Sequence, residues 1–335
     1  MHRMKIALIE VSHWHAPLYL EALASSGAQV VAVSDQDPAV ARRVAERLGC
    51  RADADYPTML REVRPDFVFA FGRHREMPAI AAHLIRARLP FAMEKPMGLS
   101  GEEVVALRAL AESQGAFIAV PFVFRYSPIQ EVIDGLRASG RFGELTNGYF
   151  RFIAGPPSRY TQGDSAWLLD PATSGGGCTI NLSVHFLDLS LALLGPRVVE
   201  SVYAVLGRRK YGGPVEDFST VLLSTGDGVA CTIETGYAYP SDPAHPRHLE
   251  LCLTTTTGYL EVREGQYAWA GHDGVRIERA IDTDTDRFYP LFVRRTLSDF
   301  ASGARPITSV GDMARVMALV DAAYRSSRER GPIRP

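Results

Sequence analysis

The chain has 335 residues, a length that favours two cores over one. Its 46% hydrophobic and 22% charged residues and its net charge of −2 leave no electrostatic footprint for nucleic acid or an anionic membrane surface. No apolar run approaches the ~20 residues that span a bilayer, the apolar stretch between Met1-His2-Arg3-Met4 and Glu10 is too short for a signal-peptide core, and four scattered cysteines (Cys50, Cys178, Cys231, Cys252) form no C-x-x-C pair, so the expectation is a cytoplasmic protein with reduced thiols.

The first third alternates strand and helix. Lys5 to Ile9 reads as an apolar strand and Ala16 to Ser26 as a helix. Gln29 to Val33 is a strand ending in Ser34-Asp35, and Pro38 to Leu48 a helix. A short strand near Arg51-Ala52 and a helix over Tyr56 to Glu62 follow. Phe67 to Phe71 and Leu89 to Met93 are strands flanking a helix over Pro78 to Arg88. Several strands are unbroken apolar runs, the pattern of a doubly wound parallel sheet covered on both faces.

The turn after the first strand sets the first problem. A dinucleotide fold places G-x-G-x-x-G there, so that the backbone can approach a diphosphate. This chain has Glu10-Val11-Ser12-His13-Trp14-His15, with no glycine. A helix amino terminus remains, with Ser12 to cap it, and Ser12, His13 and Trp14 become candidate cofactor contacts. Asp35 stands where a carboxylate would hold adenosine ribose hydroxyls, which favours NAD over NADP. Arg73, after the Phe67–Phe71 strand, is a candidate to face the diphosphate or to pair with Glu10. His13-x-His15 also has a metal-binding reading, but no companion cluster of acids and histidines accompanies it, and no metal is expected.

The Leu89–Met93 strand ends in Glu94-Lys95-Pro96-Met97-Gly98. A lysine at the carboxyl end of a buried parallel strand stands where such sheets place their ligands. A helix over Gly101 to Ser113 and a strand over Phe117 to Val120 bring the first domain to Pro121, giving domains 1–121 and 122–335. Beyond lie Arg125-Tyr126, a helix over Ile129 to Ser139, a long strand from Gly143 to Ile153, and Trp167-Leu168-Leu169-Asp170-Pro171 ahead of Ser174-Gly175-Gly176-Gly177. Cys178 to Leu194 reads as one helix. It carries Asn181, His185 and Asp188 at i, i+4 and i+7, a polar stripe that is costly in an apolar helix unless each member has a partner. From Val198 to Trp269 six β-rich segments with glycine-containing turns predict an open antiparallel sheet. Helices over Phe288 to Ser302 and Asp312 to Arg328 close the chain, with the option of packing back on the first domain.

Glu94-Lys95-Pro96, then the three glycines, then His185, in that order and with these separations, resemble the Gfo/Idh/MocA (glucose–fructose oxidoreductase, inositol dehydrogenase, rhizopine catabolism) family, along nearly the whole chain. The resemblance implies an N-terminal Rossmann domain and a C-terminal α+β domain with an open, mainly antiparallel sheet. It implies bound NAD, hydride transfer at a sugar or polyol carbinol carbon, and a homodimer or homotetramer built through the C-terminal sheet. Carried over by position, Lys95 hydrogen-bonds the reacting hydroxyl, His185 exchanges its proton, and Glu94 lies near the nicotinamide ribose. Asn181 stands where the family usually has aspartate, which removes a charge and suggests a slower or more specialised reaction. Arg125, Tyr126, Trp167 and Asp170 are candidate substrate contacts. The same resemblance leaves two alternatives: a redox-neutral enzyme that recycles NAD while cleaving glycosides, and a non-catalytic sugar- or nucleotide-binding sensor.

Overall fold

A computed structural model of the chain describes residues 3–240 and 247–335; Met1 and His2, at the start of the segment weighed above as a leader, lie outside the described residues. Apolar strands that must be covered on both faces form a six-stranded parallel sheet: β1 (Lys5–Ile9), β2 (Gln29–Ser34), β3 (Arg51–Asp53), β4 (Phe67–Ala70), β5 (Phe91–Met93) and β6 (Ile118–Ala119). Their order is β3-β2-β1-β4-β5-β6. Helices α1 (Ala16–Ser25), α2 (Pro38–Leu48), α3 (Tyr56–Val63), α4 (Met77–Arg86) and α5 (Gly101–Gln114) connect them. The strand order reverses between β1 and β4, so the carboxyl ends of these two strands border the crevice where open parallel sheets bind ligands.

A short 3-10 turn (Val123–Tyr126) leads into α6 (Pro128–Ala138), followed by β7 (Leu145–Ala154), two single-turn helices α7 (Ser158–Thr161) and α8 (Pro171–Ser174), and then α9 (Val184–Leu194). The second sheet continues with β8 (Val199–Gly207), β9 (Phe218–Thr225), β10 (Ala230–Gly236), β11 (Arg247–Thr255), β12 (Gly258–Arg263), β13 (Gln266–Gly271) and β14 (Arg276–Ala280). It is eight-stranded, in the order β14-β13-β12-β11-β7-β10-β9-β8. Every pairing is antiparallel except β10 with β7, which is parallel. Edge strand β14 was not anticipated. Its side chains are nearly all exposed, so it carries no alternation of apolar and polar positions to read.

The expected single helix over Cys178 to Leu194 begins differently. Thr179–Ser183 forms a π-helical turn, and α-helical geometry starts at Val184. The segment Pro171–Leu194, helical except at the three glycines, has the length and apolar composition to cross a membrane, unlike any run identified in the sequence. It is 94% buried inside the protein, where α9 packs against β7, β10 and the last helix. The chain ends with α10 (Phe288–Ser302), which packs on α1, and α11 (Val310–Glu329), which packs on α5 of the first sheet's layer and on β8 and α9 of the second.

Candidate active site

The glycines before α9 set where its polar face points. A Cβ on Gly177 would lie 2.1 Å from the Glu216 carbonyl oxygen, and one on Gly176 would lie within the Tyr324 hydroxyl, so the chain passes here only without side chains. Glu216, buried, accepts from the amides of Gly177 (2.9 Å) and Thr179 (3.0 Å) and from the Tyr324 hydroxyl (2.8 Å). Its carboxylate satisfies amides that begin the helical stretch, where negative charge is favourable.

The π turn then delivers Asn181 to Lys95. The Lys95 ammonium donates to the Asn181 backbone carbonyl at 2.9 Å and to Oδ1 at 3.0 Å. The Asn181 amide donates to the hydroxyls of Tyr160 (2.9 Å) and Tyr237 (3.0 Å). Asn181 is thus held at both ends, and one of the three ammonium donors of Lys95 remains for a substrate. Lys95 is 1% exposed, and burial lowers its pKa to about 8. His185 lies one helical turn on, packed edge-on by Phe122 and Phe124. Burial, then the charge of Lys95, pushes its pKa well below the ordinary histidine value, so it is a neutral base. Its Nδ1 is buried without a partner among the described residues.

Lys95, Asn181 and His185 share a cleft with Trp14, His15, Phe124, Arg159, Tyr160, Arg247, Asp286 and Tyr289. Glu94 lies behind it: His15 Nδ1 is 3.1 Å from Glu94 Oε2, and the Tyr19 hydroxyl donates to Oε1. His13, His15 and Glu94 bring potential metal ligands within 4.8 Å of one another. However, His13 Nδ1 accepts from the His15 amide at 3.1 Å, so in the neutral ring Nε2 carries the proton rather than a free lone pair. A larger groove of about 550 Å³ between α6 and the β13–β14 edge holds no histidine, and of titratable cations only arginines.

The other expected contacts fall in three places. His13 and Trp167 pack together over the ends of β1 and β4 with His74, at ring separations of 4.9–6.5 Å. Asp35 is 1% exposed, and its two oxygens accept from the amides of Ser12 (2.6 Å) and Asp37 (2.9 Å), so it braces the turn. Arg73 is exposed beyond β4, and buried Glu10 is bonded to Gln36. Arg125 is directed away from the cleft toward Asp188, 3.6 Å away, because the 3-10 turn puts Val123 and Phe124 on the cleft side. The Tyr126 hydroxyl bonds Thr308 at 2.8 Å, and Asp170 is an exposed cap of α8. Arg125, Tyr126, Trp167 and Asp170 therefore do not line the cleft that holds Lys95. Arg159, Tyr160, Tyr237, Arg247, Asp286 and Tyr289 were missed. They reach the site from separate loops and element ends, and no local spacing marks them.

Comparison with known proteins decides the family. Residues 5–122 match the oxidoreductase family with an NAD-binding Rossmann fold, and residues 131–261 match the GFO/IDH/MocA C-terminal domain. The chain belongs to the Gfo/Idh/MocA oxidoreductases. Among relatives of this family, D-apiose dehydrogenase of Paraburkholderia graminis is 25% identical over 332 residues, covering 90% of this chain and 82% of its own. An oxidoreductase from Agrobacterium radiobacter, solved with NAD+, L-tartaric acid and magnesium, superposes with a TM-score of 0.87 at 21% identity, over 99% of this chain and 98% of that one. Levoglucosan dehydrogenase, solved with NADH and levoglucosan, gives 0.86 at 15% identity over 99% of each chain.

The Gfo/Idh/MocA cofactor fits this chain's crevice on one direct observation. His13 Nε2, His74 Nε2 and Trp167 Nε1 are buried polar nitrogens without partners among the described residues, gathered at the ends of β1 and β4. Buried polar atoms in that position call for a polar ligand or ordered water. Gly72, at φ +83°, keeps the backbone open at the end of β4, where a Cβ would lie 2.8 Å from Ile80.

Proposed function

We propose that the protein oxidises a carbinol carbon of a sugar, polyol or related alcohol, with Lys95, His185 and Asn181 as the reacting group of residues. The observation that carries this reading is the Lys95–Asn181 hydrogen-bonded pair beside a neutral, buried histidine in one cleft. NAD supplies the hydride acceptor. Around it, the free ammonium donor of Lys95 holds the substrate hydroxyl oxygen and stabilises charge as the proton leaves, and His185 takes that proton. Asn181 fixes the lysine. His13, Trp14, His74 and Trp167, with the amino terminus of α1, are assigned to the cofactor, and Glu94 to the ribose side through His15.

Domain division near residue 121 and assembly into homo-oligomers through the second sheet belong to the same proposal. Tyr203, Val205, Leu222 and Tyr259 are large, exposed and apolar on that sheet, and Tyr203 and Leu222 are cross-strand partners. A cytoplasmic location is also inferred.

Two measurements test the function. Isothermal titration with NAD should give saturable binding, and sugars and polyols supplied with NAD should raise the absorbance of reduced nicotinamide. Lys95→Met and His185→Ala should each lower turnover by ~10²-fold or more, the usual scale for losing acid–base or electrostatic help. No NAD binding, or near-normal turnover in both variants, overturns the reading. Glycoside cleavage without net reduction of NAD would favour the recycling enzyme.

A further inference from the structure

The charges that line the cleft do not balance. Arg247 is matched: its two terminal nitrogens donate to the two carboxylate oxygens of Asp286 at 2.8 and 2.6 Å. Lys95 is not matched within its pair, because its side-chain partner is the neutral Asn181. Glu94, the acid behind it, is engaged by His15 and Tyr19. Arg159 has no carboxylate within salt-bridge distance among the described residues. Its guanidinium instead stacks over three rings, Tyr160 at 4.6 Å, Trp14 at 5.6 Å and Tyr237 at 5.8 Å. One of its nitrogens donates to the Tyr160 hydroxyl, and its Nε is buried with no partner among the described residues.

Two cations therefore face one cleft without a direct carboxylate partner among the described residues; the nearest acids, Glu94 and Asp286, are bonded to His15 and Tyr19 and to Arg247. That arrangement is unfavourable in the free protein, and Arg159 is one of the charges that weaken Lys95's hold on its proton. The tyrosine and tryptophan faces hold the guanidinium in place and leave its Nε edge unsatisfied. A guanidinium that lines the cleft with one N–H still unpartnered suits a carboxylate. Asn181 fits the same logic: an aspartate there would neutralise Lys95 from within, whereas asparagine leaves the site short of one negative charge.

We propose that the substrate is a hydroxy acid of the carbohydrate class, with its carboxylate held by Arg159 and its reacting hydroxyl by Lys95. This rests on the oxidoreductase reading above and narrows it to anionic substrates.

The test is a matched panel with NAD at neutral pH. D-glucuronate, D-galacturonate and D-gluconate are each compared with D-glucose, D-galactose and D-glucitol, and glucose 6-phosphate is included as a different anion. At least one acid should exceed its neutral counterpart by ~10-fold or more in kcat/KM, the scale of a charge-assisted hydrogen bond. Arg159→Gln should collapse that acid-to-neutral ratio, chiefly through KM, and Arg159→Lys should restore part of it. A preference for the neutral sugars, a preference for the phosphate over every acid, or an acid preference that survives Arg159→Gln overturns the proposal. So does NAD binding accompanied by neither turnover nor titration heat from any of the three acids. Turnover of neutral sugars alone would overturn this inference and leave the oxidoreductase reading standing; absence of NAD binding would overturn the reading itself.

Discussion

At the scale of single residues, the substitution of asparagine at position 181 has a consequence for pH. Lys95 carries its proton only up to about pH 8, and its side-chain partner is neutral. If the ammonium is the active form, turnover falls as pH rises through that value. Asn181→Asp would place a carboxylate on the ammonium and raise its pKa, by ~1 unit or more on the usual scale of an adjacent opposite charge. Tyr160 and Tyr237 then reverse their bonds and donate. The alkaline limb of kcat against pH should move upward in this variant; an unmoved limb would detach Lys95 from the profile. Glu10 gives a second prediction. It is 4% exposed in the left-handed region at φ +59°, and burial, then the charge of Asp35, raises its pKa from 4.5 to about 7. The folded protein thus holds a proton there that the unfolded chain has released between about pH 4.5 and 7. Stability from this group is complete below that window and is lost as pH rises through it. Ionised Glu10 costs up to about 3 kcal/mol above pH 7. Glu10→Gln should raise the denaturant midpoint at pH 8 and change it little at pH 4.5. An equal effect at both values would mean that the carboxyl does not titrate in this window.

At the scale of elements, the helical stretch bearing Asn181 and His185 is set by its first turns. Glu216 accepts three hydrogen bonds there, two from amides and one from Tyr324. Glu216→Gln keeps the shape but removes the charge and one acceptor, and should cost roughly 1–3 kcal/mol in chemical denaturation. An unchanged midpoint would show that the cap is dispensable. The sequence reading placed this helix correctly from its apolar content and its glycine signals. It missed the π turn because periodicity over one turn does not distinguish 3.6 from more than 4 residues per turn. The same limit explains Arg125, whose side is fixed by a 3-10 turn of four residues. The strands of the first sheet were legible as unbroken apolar runs, whereas the exposed β14 offered no pattern.

At the scale of the whole molecule, a common site for Lys95, Asn181 and His185 was implied by the family resemblance, whereas the parallel sheet and the second sheet were legible from apolar runs and β-rich segments along the chain. The cleft's arginines were not: Arg159 and Arg247 are 88 positions apart in the sequence and meet only through the fold. The terminal segment also ties the layers together. The Val120 amide donates to the Thr308 carbonyl at 3.1 Å, Ala119 and Ser309 form an isolated bridge beside β6, and α11 packs on α5, β8 and α9. Deleting residues 310–335 removes α11, with its buried Met313, Val316, Met317 and Val320, and uncovers the faces of α5, β8 and α9 on which it packs. Such a chain should aggregate or fail to give a cooperative thermal transition, and a soluble, NAD-binding truncation would show the brace to be dispensable.

The Tyr324–Glu216 bond has a further consequence, in the order of synthesis. Tyr324 leaves the ribosome more than a hundred residues after Glu216, and it completes the cap of the helical stretch carrying Asn181 and His185. The first sheet can form early in translation, but the cleft acquires its final support only when the last helix emerges. A nascent chain stalled before that point would hold Lys95 at the end of its strand while the helical stretch bearing Asn181 and His185 still awaited its cap.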